Sequence, residues 1–403
     1  MKLDRALLVI AAGVTAAVHV AKLPPALPAL RESLGITLVE AGFLISMVQV
    51  AGMTLGLVVG LAADTLGLRR TMVAGLALLS AASLASSMAT SAVALLSLRA
   101  LEGAGFLLAV TTGPALIRRM VASDALTQRL GLWGTYMPLG TALALLCGPG
   151  WIAHLGWPSW WWLASLLTAV MAFAVWRAVP ADPRSGAAAA PTAWQRRLRE
   201  TLGAPGPWLV SLTFAAYSSQ WIAMVGFLPS IYAQAGMAPS TAGLATALAA
   251  GVNMVGNVAS GRLIHKGFRP ERLLQTGFVV MALAAVLAFA PVWPQQSTLA
   301  VVGPYLAVLA FSSVGGLVPG TLFSLSVRLA PHPGAVSTTV GLLQQWSALG
   351  QFVGPPLVAW VASRTGGWSW SWLVTCACAA CGLALAQGIG AFRRRLEQPA
   401  PGA

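Results

Sequence analysis

Four ionisable side chains sit where a long apolar sequence would least be expected to carry them. His19 and Lys22 lie deep in the first apolar stretch, and Arg99 and Glu102 lie in the fourth. In each pair the residues are three apart, which places them side by side on one helical face. An ammonium or guanidinium in a lipid-like interior is costly and by default marks function. If the first helix rises from the basic side and the fourth descends from the opposite one, Lys22 is ~22 Å up and Arg99 ~10 Å down at 1.5 Å per residue. In an apolar layer ~30 Å thick the two stand at nearly the same level. Two fixed cations against one carboxylate make an electropositive locus, the chemistry of anion binding. Glu102, with His19, is the candidate for taking up a proton. A second group of polar and aromatic residues suits hydrogen bonding and stacking: Tyr217, Gln220, Trp221, Asn253, Asn257, Gln344, Gln345 and Trp346.

The chain that must position them has 403 residues, 57% hydrophobic and only 8% charged, with a mean hydropathy of +0.78. Soluble domains carry about 25% charged residues, so soluble enzymes, nucleic-acid binders and disordered proteins are excluded. Twelve stretches are long enough to cross a bilayer as helices: 6–30, 39–63, 70–90, 92–116, 128–152, 157–178, 207–233, 240–264, 271–291, 299–325, 335–361 and 368–390. Alternation of the β-barrel type is missing. Met1-Lys2-Leu3-Asp4-Arg5 imitates a signal peptide, but the apolar run is too long and more spans follow it, so it reads as a retained first helix. The longest polar gap, 179–206, holds Pro180, Pro183, Pro191, Arg196, Arg197 and Arg199 and suits a connector between two halves. The expected organisation is a bundle over 1–178, a linker over 179–206, a second bundle over 207–391 and a tail over 392–403. Cys376, Cys378 and Cys381 read as small core residues rather than metal ligands. Trp157, Trp160, Trp161 and Trp162, like Trp368, Trp370 and Trp372, read as interfacial anchors.

The net charge of +14 is a topological signal. Twenty of the 24 basic residues, all but Lys22, Arg31, Arg99 and Arg364, fall in alternate gaps or at the two termini. The positive-inside rule therefore predicts both termini in the cytoplasm, and the charge matches anionic headgroups rather than nucleic acid.

An internal repeat divides the chain. Leu27, Pro28, Gly35, Ala41, Gly42, Met53 and Gly60 match Leu228, Pro229, Gly236, Ala242, Gly243, Met254 and Gly261, each 201 positions on. Gly131, Leu139, Gly140, Gly156, Ser159, Trp160, Trp162 and Leu163 match Gly341, Leu349, Gly350, Gly366, Ser369, Trp370, Trp372 and Leu373, each 210 on. A six-helix repeat keeps one orientation in both halves. It predicts an all-α membrane protein of twelve spans in two pseudo-symmetric bundles, with a site between them near the midplane.

Gly60-Leu-Ala-Ala-Asp64-Thr-Leu-Gly67-Leu-Arg69-Arg70 joins the second and third spans. Gly60 permits close helix approach, Gly67 a tight turn, and Asp64 can cap or pair at a helix end. This resembles the signature loop of the major facilitator superfamily, Gly-x-x-x-Asp-x-x-Gly-x-Arg-Arg. The second-half copy carries His265 in place of the acid. Arg99-Ala-Leu-Glu102-Gly103-Ala-Gly105 resembles the family's fourth-helix motif. Gly140 with Gly148-Pro149-Gly150, repeated as Gly341, Gly350 and Gly354-Pro355-Pro356, resembles a weakened fifth-helix motif. His19-Val-Ala-Lys22-Leu-Pro24-Pro25-Ala-Leu-Pro28 is similar to the start of the cyanate and nitroimidazole permease branch.

The resemblance implies that Asp64, with Gly60, Gly67, Arg69 and Arg70, clasps the cytoplasmic helix ends in gating. It also implies that the first and fourth helices line the central cavity. On that footing the expected function is secondary transport of a small anionic or polar solute by alternating access in the inner (plasma) membrane. Lys22, Arg99 and His19 would hold the negative group, with Tyr217, Gln220, Trp221, Asn253, Gln344 and Gln345 as further solute contacts. Glu102 and His19 would carry the proton, and uptake is the expected direction. The alternatives are proton-coupled drug efflux and a sensor that does not transport. No enzymatic motif, metal site or cofactor is expected, and a monomer is expected.

Overall fold

The computed structural model describes residues 4–35, 38–182, 193–293 and 298–397, and these form helices joined by short turns, with no strand among them. Twelve spans run through the apolar stretches. The first is broken into Arg5–Ala21, a 3-10 turn at Pro24–Ala26, and Leu27–Leu34. The second to fourth are Leu38–Leu66, Leu68–Ser86 and Ala92–Met120. Ser123–Trp133 and Tyr136–Ala178 hold the fifth and sixth, separated where Gly156 leaves helical geometry at φ 76. The seventh is Pro205–Gln234, the eighth Pro239–Gly251 with Asn253–His265, and the ninth Pro270–Phe289. The tenth is Thr298–Gly315 with Leu317–Arg328, the eleventh Val336–Thr365 and the twelfth Trp372–Glu397.

The exposed surface explains why these segments need lipid. Leu146, Leu166, Phe173, Val255, Leu283 and Leu306 are each more than half exposed on the flanks of their helices, which water would not tolerate in such number. The protein is a multi-pass membrane protein. The connector holds a helix the sequence reading did not foresee, Ala193–Gly203, while 183–192 lie outside the described residues.

The repeat read from the sequence reappears as two equivalent seams between the six-helix bundles. The second span meets the eleventh, where a methyl on Gly60 would lie 3.1 Å from the Gly341 Cα. The fifth meets the eighth, where a methyl on Gly131 would lie 2.7 Å from the Gly261 Cα. Gly60 and Gly261 are repeat mates, as are Gly131 and Gly341, so one contact made twice by pseudo-symmetry forms both seams. Only glycine admits such approach. Both seams lie toward the end of the molecule that carries the connector and most of the arginines, called here the basic end. Two further ties close that end across the bundles: Arg118 donates to the Pro333 carbonyl at 3.1 Å, and Arg328 to the Thr127 hydroxyl at 2.7 Å.

Two expectations need correction. Trp157, Trp160 and Trp161 are buried, packed with Leu23, Leu30 and Leu95, and only Trp162 of that quartet stands out, at 54% exposed. Their indoles fill the interior around the break in the first span. Cys381 lies exposed on the twelfth span and Cys376 and Cys378 are half-buried, so these cysteines do not form a core.

Candidate functional site

The first span breaks because of its prolines. Pro24 has no N–H to give Val20, its helical partner four residues back, and Pro25 has none for Ala21. The freed carbonyls need donors in an apolar setting. Arg99 supplies one to the first of these, its Nη2 donating to the Val20 carbonyl at 2.9 Å, and its Nη1 donates to the His19 carbonyl one residue earlier. Its Nε donates to the Leu44 carbonyl on the second span at 3.3 Å. Trp160 Nε1 donates to the Lys22 carbonyl at 3.2 Å. The break is thus held by side chains from two other spans, the fourth and the sixth.

Lys22 lies at this break with all three ammonium protons engaged. It donates to Glu102 Oε1 at 2.8 Å and to the Ser83 hydroxyl at 2.8 Å, and it lies 3.1 Å from His19 Nδ1. The Trp161 ring lies beneath it at 4.9 Å, a cation–π contact. Because His19 Nδ1 faces an ammonium it must accept, which puts the ring proton on Nε2, 2.8 Å from the Thr168 hydroxyl. Glu102 bridges both cations, with Oε2 taking Arg99 Nη1 at 2.6 Å and Oε1 taking a further hydrogen bond from Ser86 at 3.1 Å. Lys22, Arg99, Glu102 and His19 are all fully buried. The sequence reading brought these four together correctly. It missed Ser83, Ser86, Trp161 and Thr168, which are ordinary small or aromatic residues in apolar runs; helical spacing alone could not have tied them to a charge on another span.

Lys22, Arg99 and His19, the residues expected to hold an anion, are engaged within their own bundle. Every partner of the cluster belongs to the first six spans. Lys22 points at the third and sixth, and the third packs on the first, second, fourth and sixth. The cations' hydrogen-bond partners all lie in their own bundle, and the two share the one Glu102 carboxylate. With all three ammonium protons of Lys22 and the Arg99 guanidinium hydrogen-bonded to protein groups, a solute would have to displace a buried partner to reach either cation.

The remaining candidates divide. Tyr217 and Asn253 meet at 2.9 Å, and Asn253 also donates to the Ser312 carbonyl, while Trp221 Nε1 donates to the Ser312 hydroxyl. Gln344 crosses the bundles to the Tyr136 hydroxyl at 3.3 Å. Gln345 crosses too, accepting from the Leu57 N–H, and Gln49 pairs with Gln351. Gln220 turns back to the Ala216 carbonyl of its own helix, and Trp346 packs on Trp208. Tyr136 and Gln49 were not foreseen. No charged residue occurs in the sequence over 205–234, 241–261, 298–327 or 336–363, the apolar lengths of the seventh, eighth, tenth and eleventh spans.

In the signature loop the Asp64 side chain lies outside the described residues. Gly67 adopts φ 102, which favours glycine, and a methyl there would lie 2.5 Å from Asp182 Oδ2. Asp182, just past the sixth span, caps the third by accepting from the N–H groups of Arg69 and Arg70 at 3.0 and 3.1 Å, and it pairs with Arg119 at 2.8 Å. The Arg69 guanidinium reaches the Trp176 and Val179 carbonyls. Partial burial pushes the Asp182 carboxyl up, but the hydrogen bonds from Arg119, Arg69 and Arg70 outweigh it and hold the group below its ordinary value. Sequence spacing had no means of placing Asp182, more than a hundred residues away, in this loop.

Among curated proteins none matches the sequence. Solved structures match its fold along nearly the whole length. The Escherichia coli fucose:proton symporter FucP superposes with a TM-score of 0.73 at 15% identity, covering 96% of this chain and 99% of that one. The human organic anion transporter MFSD10 gives 0.75 at 18%, with 96% and 99% covered. The proton:xylose symporter XylE gives 0.76 at 14%, with 96% and 95% covered. Residues 6–349 match the family profile described as Major Facilitator Superfamily. Two glycine seams related by an internal repeat, twelve apolar spans and that match agree, and the chain belongs to the Major Facilitator Superfamily.

Proposed function

We propose that the protein is a secondary transporter of the plasma membrane that moves a small, polar, uncharged solute by alternating access. The bundles at 1–178 and 207–391 rock about the interface, joined by 179–206, with the basic end and both termini in the cytoplasm. The observation that carries the solute class is the partition of polar groups. The ion-paired residues have their partners in the first bundle, while the groups at or near the bundle interface away from the basic end, among them Tyr136, Tyr217, Asn253, Gln344, Gln49 and Gln351, are neutral hydrogen-bonding side chains. A charged solute there would lose its hydration without a counter-charge. The neutral groups leave a hydrogen-bonding solute at little cost.

Glu102 is the proposed coupling residue. Protonation removes the only negative group between two buried cations, so the cluster must rearrange. Arg99 touches the first, second and fourth spans at once, and the second span forms one seam. The proton state therefore acts on the closure of the basic end. Gly60, Asp64, Gly67, Arg69 and Arg70 serve gating through the loop that Asp182 anchors. The names of two structural neighbours, both proton symporters, agree with this coupling.

Counterflow and gradient-driven uptake in proteoliposomes, screened over neutral, zwitterionic and anionic solutes, test the reading. The expected result is exchange of a neutral solute, with Glu102→Gln keeping exchange and losing proton-driven accumulation. Saturable exchange of anions alone, abolished by Lys22→Ala, would refute the neutral-solute reading in favour of anion binding at Lys22.

A further inference from the structure

Five aromatic rings meet in the basic-end half of the bundle interface. Trp133 and Tyr136, on the fifth span, stack at 4.8 Å. Phe214 and Tyr217, on the seventh, lie 6.1 Å apart, and Phe323, on the tenth, meets Phe214 edge-on at 5.5 Å. Two contacts cross between bundles, Trp133 to Phe323 at 6.4 Å and Tyr136 to Phe323 at 6.3 Å, both edge-on. All five residues are at most 6% exposed. Counting along the helices at 1.5 Å per residue, Phe323 lies ~8 Å from the basic end of its span, and Phe214 and Trp133 ~14–15 Å from theirs. The rings thus fill the height at which the path between the seams must be shut.

Their partition is what a gate requires. Separating the bundles breaks Trp133–Phe323, Tyr136–Phe323 and the Gln344–Tyr136 hydrogen bond. Trp133–Tyr136, Phe214–Tyr217 and Phe214–Phe323 each stay within one bundle. The first-bundle rings are also seated from behind. A methyl on Gly113 would lie 2.2 Å from Trp133 Cη2, and one on Gly13 would lie 2.8 Å from its Cζ3. Those glycines form a slot that holds the indole at the interface. No charged side chain takes part, and the two tyrosine hydroxyls are taken up by Gln344 and Asn253, so the ring faces form a largely apolar seal.

We propose that Phe323, closing against Trp133 and Tyr136 with Phe214 behind it, is the gate of the transport path on the basic side. The proposal rests on the alternating-access reading, and its test needs no solute. In a variant with Cys147, Cys376, Cys378 and Cys381 replaced by alanine, a reporter cysteine is placed at Ala348. That buried residue faces Gly52 on the far side of the rings from the basic end. A membrane-impermeant maleimide is applied to the basic face in oriented vesicles. The expected result is slow labelling in the parent, about tenfold faster labelling with Phe323→Ala or Tyr136→Ala as the two cross-bundle ring contacts are lost, and slow labelling with Phe323→Tyr. Phe311→Ala removes a fully buried ring from the same span outside this cluster and should leave the rate unchanged. Labelling within twofold of the parent in both Phe323→Ala and Tyr136→Ala, in monodisperse protein, would overturn the gate. Absent counterflow in the parent with this labelling pattern intact would overturn the transporter reading instead.

Discussion

Replacing Glu102 by glutamine tests the ion cluster most directly. The carboxylate presents one oxygen to Lys22 at 2.8 Å and the other to Arg99 at 2.6 Å, all three side chains being fully buried. Glutamine has one carbonyl oxygen and one amide NH2, so one cation must face a donor where it had an acceptor. The charge that balanced them is lost as well. Removing one partner of a buried ion pair costs about 3–5 kcal/mol. With an unfolding entropy of about 2.1 cal/mol/K per residue over the full length, that corresponds to a fall in Tm of ~4–6 °C. The assay is thermal unfolding in one detergent at fixed pH, with Lys22→Met, Glu102→Gln and the double variant compared. Lys22→Met together with Glu102→Gln removes the second cation too, so the double variant should be more stable than Glu102→Gln alone. Additive losses, or a Glu102→Gln protein as stable as the parent, would refute the view that Glu102 balances two buried charges.

Trp161→Phe keeps a ring under Lys22 but weakens its cation–π contact and should cost about 1 kcal/mol, against about 3–5 kcal/mol for Trp161→Ala, read as relative Tm losses. Gly60→Ala places a methyl 2.6 Å from the Ser337 carbonyl and should open the second–eleventh seam, raising maleimide labelling of cysteines on that seam from the basic face. Asp182→Asn removes the anchor of the signature loop and should lower Tm by about 1–2 kcal/mol equivalent. Because the Asp182 carboxyl is held below its ordinary value of 3.8, its stabilisation is complete above that pH and is lost only as pH falls through the lower folded-state value. The Asp182→Asn and parent stability curves should therefore run parallel from pH 5 to 8 and converge only in strong acid.

Periodicity and hydropathy made the spans legible, since lipid imposes a length and an apolar composition that a sequence cannot disguise. The glycine repeat was equally legible, and Gly60, Gly131, Gly261 and Gly341 proved to be the contacts that make the seams. Residue type also brought Lys22 and Arg99 to one level. The side of the helix they face was not legible, because that depends on which neighbouring span offers a partner. Ser83 and Trp161 carry no sequence mark that connects them to a lysine on another helix. The tryptophans at the start of the sixth span were misread for a related reason: an indole at a membrane boundary and an indole filling a proline break occupy the same positions in sequence. The ring cluster was missed because Trp133, Tyr136, Phe214 and Phe323 come from three separated spans, and only the packing of the bundles assembles them.

The break in the first span has a consequence for how that helix tolerates change. Arg99 lies where it does because Pro24 withholds a hydrogen from Val20. Any other residue at position 24 would restore that hydrogen, and the backbone would compete with the guanidinium for the same oxygen. An alteration that by composition favours the helix would therefore unseat an arginine on a different span, and with it the carboxylate it shares with Lys22. At this joint the chain's geometry is specified by an atom it lacks.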